Sequence, residues 1–85
     1  MKRTFSINEA QRIGELLGID FARIHLEQFR IGLSVELEHG TENAATNITN
    51  DDEQLTGRIA WAHLREIPDY YTRLIAMEKA AGRRN

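Results

Sequence analysis

Two short phrases carry side chains with the chemistry to hold an ion or a proton. Glu36-Leu37-Glu38-His39 places a glutamate three residues before a histidine, and His63-Leu64-Arg65-Glu66 places a histidine three before a glutamate. On a helix, side chains at i and i+3 are neighbours. Helical bundles build di-iron and di-manganese carboxylate sites from such Glu-x-x-His pairs. Two histidines with two or three carboxylates suit iron, manganese or zinc. A di-iron bundle draws carboxylates from more helices than this, so a metal site at Glu36, His39, His63 and Glu66 needs a second copy of the chain to complete it. The leading reading is plainer and expects no cofactor. Buried polar groups are ordinarily satisfied by protein partners, and Glu66 and His63 then bond to Arg30, Arg58 or a tyrosine hydroxyl as a structural network.

The stretch Ile59 to Tyr71 positions half of these residues. At about 100° per residue, Leu55, Ile59, Ala62 and Glu66 share one helix face, with His63 beside them. A glutamate in line with an apolar stripe requires a partner, because an unpaired buried carboxylate is costly. Pro68 ends this helix, Asp69 is placed to cap the next, and Tyr70-Tyr71 open it. Trp61 points away from the apolar face. Trp61, Tyr70 and Tyr71 are candidate interaction residues, since exposed aromatics anchor protein interfaces, although core packing is the more ordinary fate of such rings.

Ser6 to Arg30 has the cadence of a helix-turn-helix. Its second helix offers Arg23, His25, Gln28 and Arg30. A duplex binder carries more phosphate-contacting charge than this, and Glu15 and Glu27 lie close by. An ordinary helical hairpin is the competing reading, and nucleic-acid binding stands third.

The elements that place these residues are helical. Ser6-Ile7-Asn8-Glu9 is a capping box. It opens a helix to about Leu17, with Ala10, Ile13, Leu16 and Leu17 as apolar face, Gly18 at the left-handed C′ position and Ile19 as its hydrophobic contact. Asp20 to Ile24 has room for one helical turn. In Leu26 to His39, Phe29, Ile31, Leu33, Val35 and Leu37 alternate like a strand, but length and ends favour a helix, with Glu27 in the first turn and Gly40 as C′. Burial on more than one side accounts for Ile31 and Val35. Residues 41–50 read as a polar loop and the one hinge. Thr49 or Asn50 caps a third helix that runs to about Glu66, with Asp51, Asp52 and Glu53 at its positive end. A fourth runs from near Asp69 to Ala81, ended by Gly82. The expectation is one all-α domain over 1–85, a small bundle of three long helices and one shorter, with frayed ends near 1–4 and 83–85.

Eighty-five residues with 41% hydrophobic and 28% charged side chains describe a folded, water-facing domain. A net charge of −2 provides no basic field for nucleic acid. The absence of cysteine excludes disulfides, thiol catalysis and cysteine metal sites. No apolar run reaches spanning length, and Met1-Lys2-Arg3 lacks the apolar segment of a signal peptide, so the expected location is the cytoplasm with no membrane partner. No nucleophile motif, P-loop or dinucleotide fingerprint is present. No catalytic residue is assigned, and an enzyme is not expected. A core this small gains from self-association.

Leu26-Glu27-Gln28-Phe29-Arg30, Glu36-Leu37-Glu38-His39-Gly40, Thr46-Asn47-Ile48-Thr49, Ile59-Ala60-Trp61-Ala62-His63-Leu64 followed by Glu66, and Pro68-Asp69-Tyr70-Tyr71-Thr72-Arg73-Leu74 together resemble a domain-of-unknown-function family, the one numbered 5661. The family occurs in small bacterial and phage proteins, and the resemblance runs roughly from Phe5 to Glu78. It implies a small all-helical domain, a phage or mobile-element origin and a cytoplasm that is the bacterium's or the infected cell's. It implies no activity. His25 stands where the family pattern leads one to expect an aspartate cap, which weakens the start of the second helix and argues against His25 as a functional residue. The function expected is a non-enzymatic protein-interaction module with an unknown protein partner, self-associating as a homo-oligomer. The metal-binding helical protein completed by dimerisation and the DNA-binding protein are the alternatives.

Overall fold

Local signals fix the first helix. The computed structural model describes residues 3–82. The expected fraying of Met1, Lys2 and Arg83 to Asn85 lies outside the described residues. Helix α1 spans Ile7–Leu17. Ser6 Oγ accepts from the Glu9 amide at 3.1 Å and Glu9 Oε1 accepts from the Ser6 amide at 2.9 Å, the reciprocal cap that the sequence predicts. Gly18 closes the helix at φ = +82°, and the Ile19 amide reaches the Gly14 carbonyl at 2.9 Å. The inner face is Ala10, Ile13 and Gly14, whereas Leu16 is 61% exposed, contrary to the apolar face expected. Gly14 takes the place of a larger residue because the Phe21 ring lies against it; a Cβ there would stand 2.2 Å from Phe21 Cζ. Arg3, in a stretch expected to fray, bonds to Glu9 and to Glu53 at 3.0 Å each. Arg12 joins Glu53 at 3.2 Å, and these two arginines, Arg12 first, hold the Glu53 carboxyl below its ordinary range.

Helix α2, Leu26–Glu36, resolves the strand-or-helix alternation in favour of the helix. Phe29, Gly32, Leu33, Val35 and Glu36 are buried along it, so it meets neighbours on more than one side. It tightens into a 3-10 turn over Leu37–His39, where a continuous α-helix was expected. Gly40 is not left-handed; its φ is −105°. What requires glycine there is Asp51, whose Oδ1 would lie 2.0 Å from a Cβ.

Residues 41–50 form a self-bonded loop. The His39 carbonyl accepts from the Ile48 and Thr49 amides, Asn43 caps a short 3-10 turn at Ala44–Thr46, and Asp51 accepts from the amide and hydroxyl of Thr41. Asn50 and Asp51 adopt φ of +50° and +63°, the left-handed region these residue types tolerate. That turn moves the helix start forward. The N-cap of α3 (Glu53–Glu66) is Asp52, which accepts from the Leu55 amide at 2.9 Å, and not Thr49 or Asn50.

The buried face of α3 is Thr56, Gly57, Ala60 and Leu64. The face expected to be buried, Leu55, Ile59, Ala62 and Glu66, points outward: Leu55 is 46% exposed, Ala62 and Glu66 are exposed and Ile59 is half-buried. Close approach explains the choice. A Cβ at Gly57 would stand 2.8 Å from Leu17 Cδ1, 3.2 Å from Ile13 Cγ2 and 3.3 Å from Phe29 Cζ, so the small-residue side is the one that admits α1 and α2.

Helix α4 spans Tyr70–Ala80, and Gly82 follows it at φ = +75°. The architecture is the small all-α bundle expected, with α-helices of 11, 11, 14 and 11 residues in chain order. Among the described residues there is no strand, and none of the helices is long and apolar enough to cross a membrane. Helix α2 is central, packing against α1, α3 and α4, and Phe29, Leu33, Ile13, Leu64 and Tyr71 are its fully enclosed core.

Candidate functional site: a buried carboxylate between two histidines

Phe29, Leu33 and Glu36 follow one another along the inner side of α2, so the helix that builds the core also carries a carboxylate into it. Glu36 is 3% exposed. A charge held there needs donors, and Tyr71, itself fully buried, supplies the first. Its hydroxyl donates to Glu36 Oε2 at 2.6 Å.

Three residues of α2, spaced four apart, seat this tyrosine. Gln28 Oε1 accepts from the Tyr71 amide at 3.1 Å while Gln28 Nε2 donates to Thr72 Oγ1 at 2.7 Å. Gly32 lies under the ring; a Cβ there would stand 2.4 Å from Tyr71 Cε2 and 2.9 Å from Cζ. Glu36 takes the hydroxyl. Gln28 thus caps the first turn of α4, a task the sequence suggested for Asp69. Asp69 makes no side-chain cap bond and pairs with Arg73 at 2.7 Å instead. The four-residue spacing of Gln28, Gly32 and Glu36 was visible in the sequence, since i and i+4 share a helix face, but only the contact with Tyr71 gives it meaning.

His63 Nδ1 lies 3.1 Å from both Glu36 Oε2 and the Tyr71 hydroxyl oxygen. Tyr71 has one proton and gives it to Glu36. The proton at the third corner therefore comes from His63 Nδ1, and this bonding pattern leaves Nε2 as the outer nitrogen. The imidazole stacks on Tyr70, with centroids 4.3 Å apart and planes at 14°. On the other side, His39 Nε2 lies 3.5 Å from Glu36 Oε1. Both histidines are partly exposed, so the carboxylate is enclosed while its flanking rings reach solvent. Burial first, and then the hydrogen bond to the Glu36 carboxylate, push Tyr71 ionisation well above the usual tyrosine range.

Of the four proposed metal-ligating residues, Glu36, His39 and His63 come together and Glu66 does not. Glu66 is exposed at the end of α3, with no bond to this cluster. Of the three partners the sequence offers His63, namely Arg30, Arg58 and a tyrosine hydroxyl, the hydroxyl is the one it meets, and Tyr71 is the member of the cluster that sequence reasoning does not reach. Among the described residues no group of three or more His, Asp or Glu side chains is arranged to hold a metal ion.

The aromatic candidates separate. Tyr71 is in the core and presents no surface, and Tyr70 is half-buried against His63. Trp61 is half-buried at a groove of about 470 Å³ lined also by Ile24, Leu64, Pro68, Arg23 and Arg65. The Arg65 guanidinium lies 5.8 Å from the Trp61 ring centroid. The helix-turn-helix reading loses two of its four contact residues. Gln28 is spent on α4, and Arg30 is bonded to Glu27 and to the Phe5 carbonyl, so Arg23, Gln28 and Arg30 do not form one free face.

No curated protein and no solved structure is similar enough to this chain to count as a match. The family model described as protein of unknown function (DUF5661) matches residues 10–80, and the chain belongs to that family.

Proposed function

We propose that this protein is a non-enzymatic interaction module whose buried ionisable residues serve its packing. The observation that carries the reading is the closure of the cluster on itself. Glu36 Oε2 receives Tyr71 and His63, and the tyrosine hydroxyl fills the corner between them. Fully satisfied, such a network specifies one packing of α2, α3 and α4; half satisfied, it destabilises it. One surface open to a partner is the groove at Trp61, where the half-buried ring lies beside the exposed guanidinium groups of Arg23 and Arg65, residue types enriched at binding hot spots. The test is a thermal melt of His63→Ala with and without EDTA. A structural network gives a melting point lower by several degrees and unmoved by chelator. Unchanged melting removes the structural role.

One observation favours a metal reading as the second. Glu36 Oε1 and His39 Nε2 stand 3.5 Å apart at the partly exposed side of the cluster. Two ligands of one tetrahedral zinc ion, at bonds of about 2.1 Å, are separated by roughly 3.4 Å. Iron, manganese or zinc held there takes its remaining ligands from a second copy. Elemental analysis of tag-free protein separates the two readings: near-stoichiometric metal with a chelator-sensitive melt promotes the metal site, and its absence leaves the network.

A further inference from the structure

Helix α3 is apolar on two sides. Thr56, Gly57, Ala60 and Leu64 face the core. Leu55, Ile59 and Ala62 lie on the other, together with Glu66, all within about 60° of one another around the axis. Leu55 is 46% exposed, Ala62 is exposed, and Ile67, just past the helix, is 39% exposed. Arg58 borders this stripe. Neither Arg58 nor Glu66 has an ion-pair partner among the described residues.

We infer that this face is covered by the same face of a second copy, the two α3 helices crossing antiparallel at Ala62. The spacing is self-complementary. A two-fold axis at Ala62 sets each position n residues before it opposite the position n residues after it in the other copy. Arg58 then meets the partner's Glu66, and by symmetry the pair forms twice. Leu55 reaches the end of the partner's α3, where the partner's Ile67 is exposed. Ala62, the smallest side chain of the stripe, stands at the crossing point, where a small residue lets helix axes approach. A parallel pairing would set Arg58 against Arg58 and Glu66 against Glu66, so charge selects the antiparallel one. Specificity through such charge pairs is recognisable by swapping them.

The inference names one partner of the interaction module, a copy of itself, and rests on that reading only in taking the chain to bind protein. None of its residues is bonded to the Glu36 cluster, so the fate of the network and the fate of this interface are decided by different measurements.

The experiment is sedimentation velocity on the full chain across a concentration series. The expected result is a monomer–dimer equilibrium. Ala62→Arg should abolish it while retaining the helical circular dichroism of the folded chain. Arg58→Glu and Glu66→Arg, made singly, each bring like charges together and should weaken dimerisation by roughly tenfold or more. The double variant R58E/E66R restores the opposite pairing and should recover most of the loss. A chain that is monomeric at every concentration overturns the inference. So does a dimer indifferent to Ala62→Arg, or single-swap losses that the double variant fails to recover.

Discussion

The hydroxyl of Tyr71 and the carboxylate of Glu36, 35 residues apart in sequence, meet at 2.6 Å inside the protein, so the hydrogen bond between them fastens the fourth helix to the second. Removing its donor tests how much the fold depends on it. Tyr71→Phe keeps the ring and leaves Glu36 with one fewer donor, which should cost about 2–3 kcal/mol in urea unfolding. A loss under about 0.5 kcal/mol would show that His63 and His39 suffice for the carboxylate.

Gly32→Ala should destabilise, against the usual trend. In an ordinary helix interior, alanine is better than glycine by about 1 kcal/mol. Here the new Cβ would stand 2.4 Å from a ring carbon of Tyr71 and 3.0 Å from Ala60 Cβ. An aromatic ring enclosed on all sides cannot swing away, so the expected outcome is a net loss of roughly 1–3 kcal/mol. A stabilised variant would mean that α4 sits more loosely on α2 than the distances indicate.

Gln28→Ala removes the acceptor for the Tyr71 amide. Losing a helix cap costs about 1 kcal/mol. The loss should be local, and hydrogen exchange by mass spectrometry should show faster exchange in the first turn of α4 with α1 unaffected. Uniform acceleration across the chain would contradict the capping role.

Tyr71 also sets an alkaline limit. Its ionisation in the fold is raised above the ordinary 10.0, and the unfolded chain titrates near that ordinary value. By linkage, the contribution is fully present below pH 10 and is lost as pH rises above it, because the unfolded chain gives up a proton that the folded one keeps. In a Tyr70→Phe background every tyrosinate signal at 295 nm comes from Tyr71. That signal should rise together with the loss of helical circular dichroism. Absorbance that precedes unfolding would place the hydroxyl in solvent.

What the sequence made legible is what neighbouring residues decide. The capping box at Ser6, the glycine stop at Gly18 and the helix through Phe29 and Leu33 depend on local bonding and periodicity, and they stand as expected. On α3 the apolar stripe is not the side that meets the core. At this interface the deciding quantity is how closely backbones approach, and Gly57 and Ala60 satisfy it better than Leu55 and Ile59. Glu66 lies on that same outward stripe and so stands apart from the cluster. Tyr71 was hidden because nothing near it in sequence announces that a glutamine, a glycine and a glutamate four residues apart on another helix are shaped to receive it.

Tyr71 and Glu78 are the buried residues of α4. Tyr70 and Leu74 pack against the core beside them, so α4 joins α2 along a short seam built around one ring. The side of α2 that receives Tyr71 is deepest at Gly32, where no side chain stands under the ring, and acidic at Glu36. One side of α2 is thus a socket cut for a single tyrosine, and α4 is the segment of the same chain that fills it.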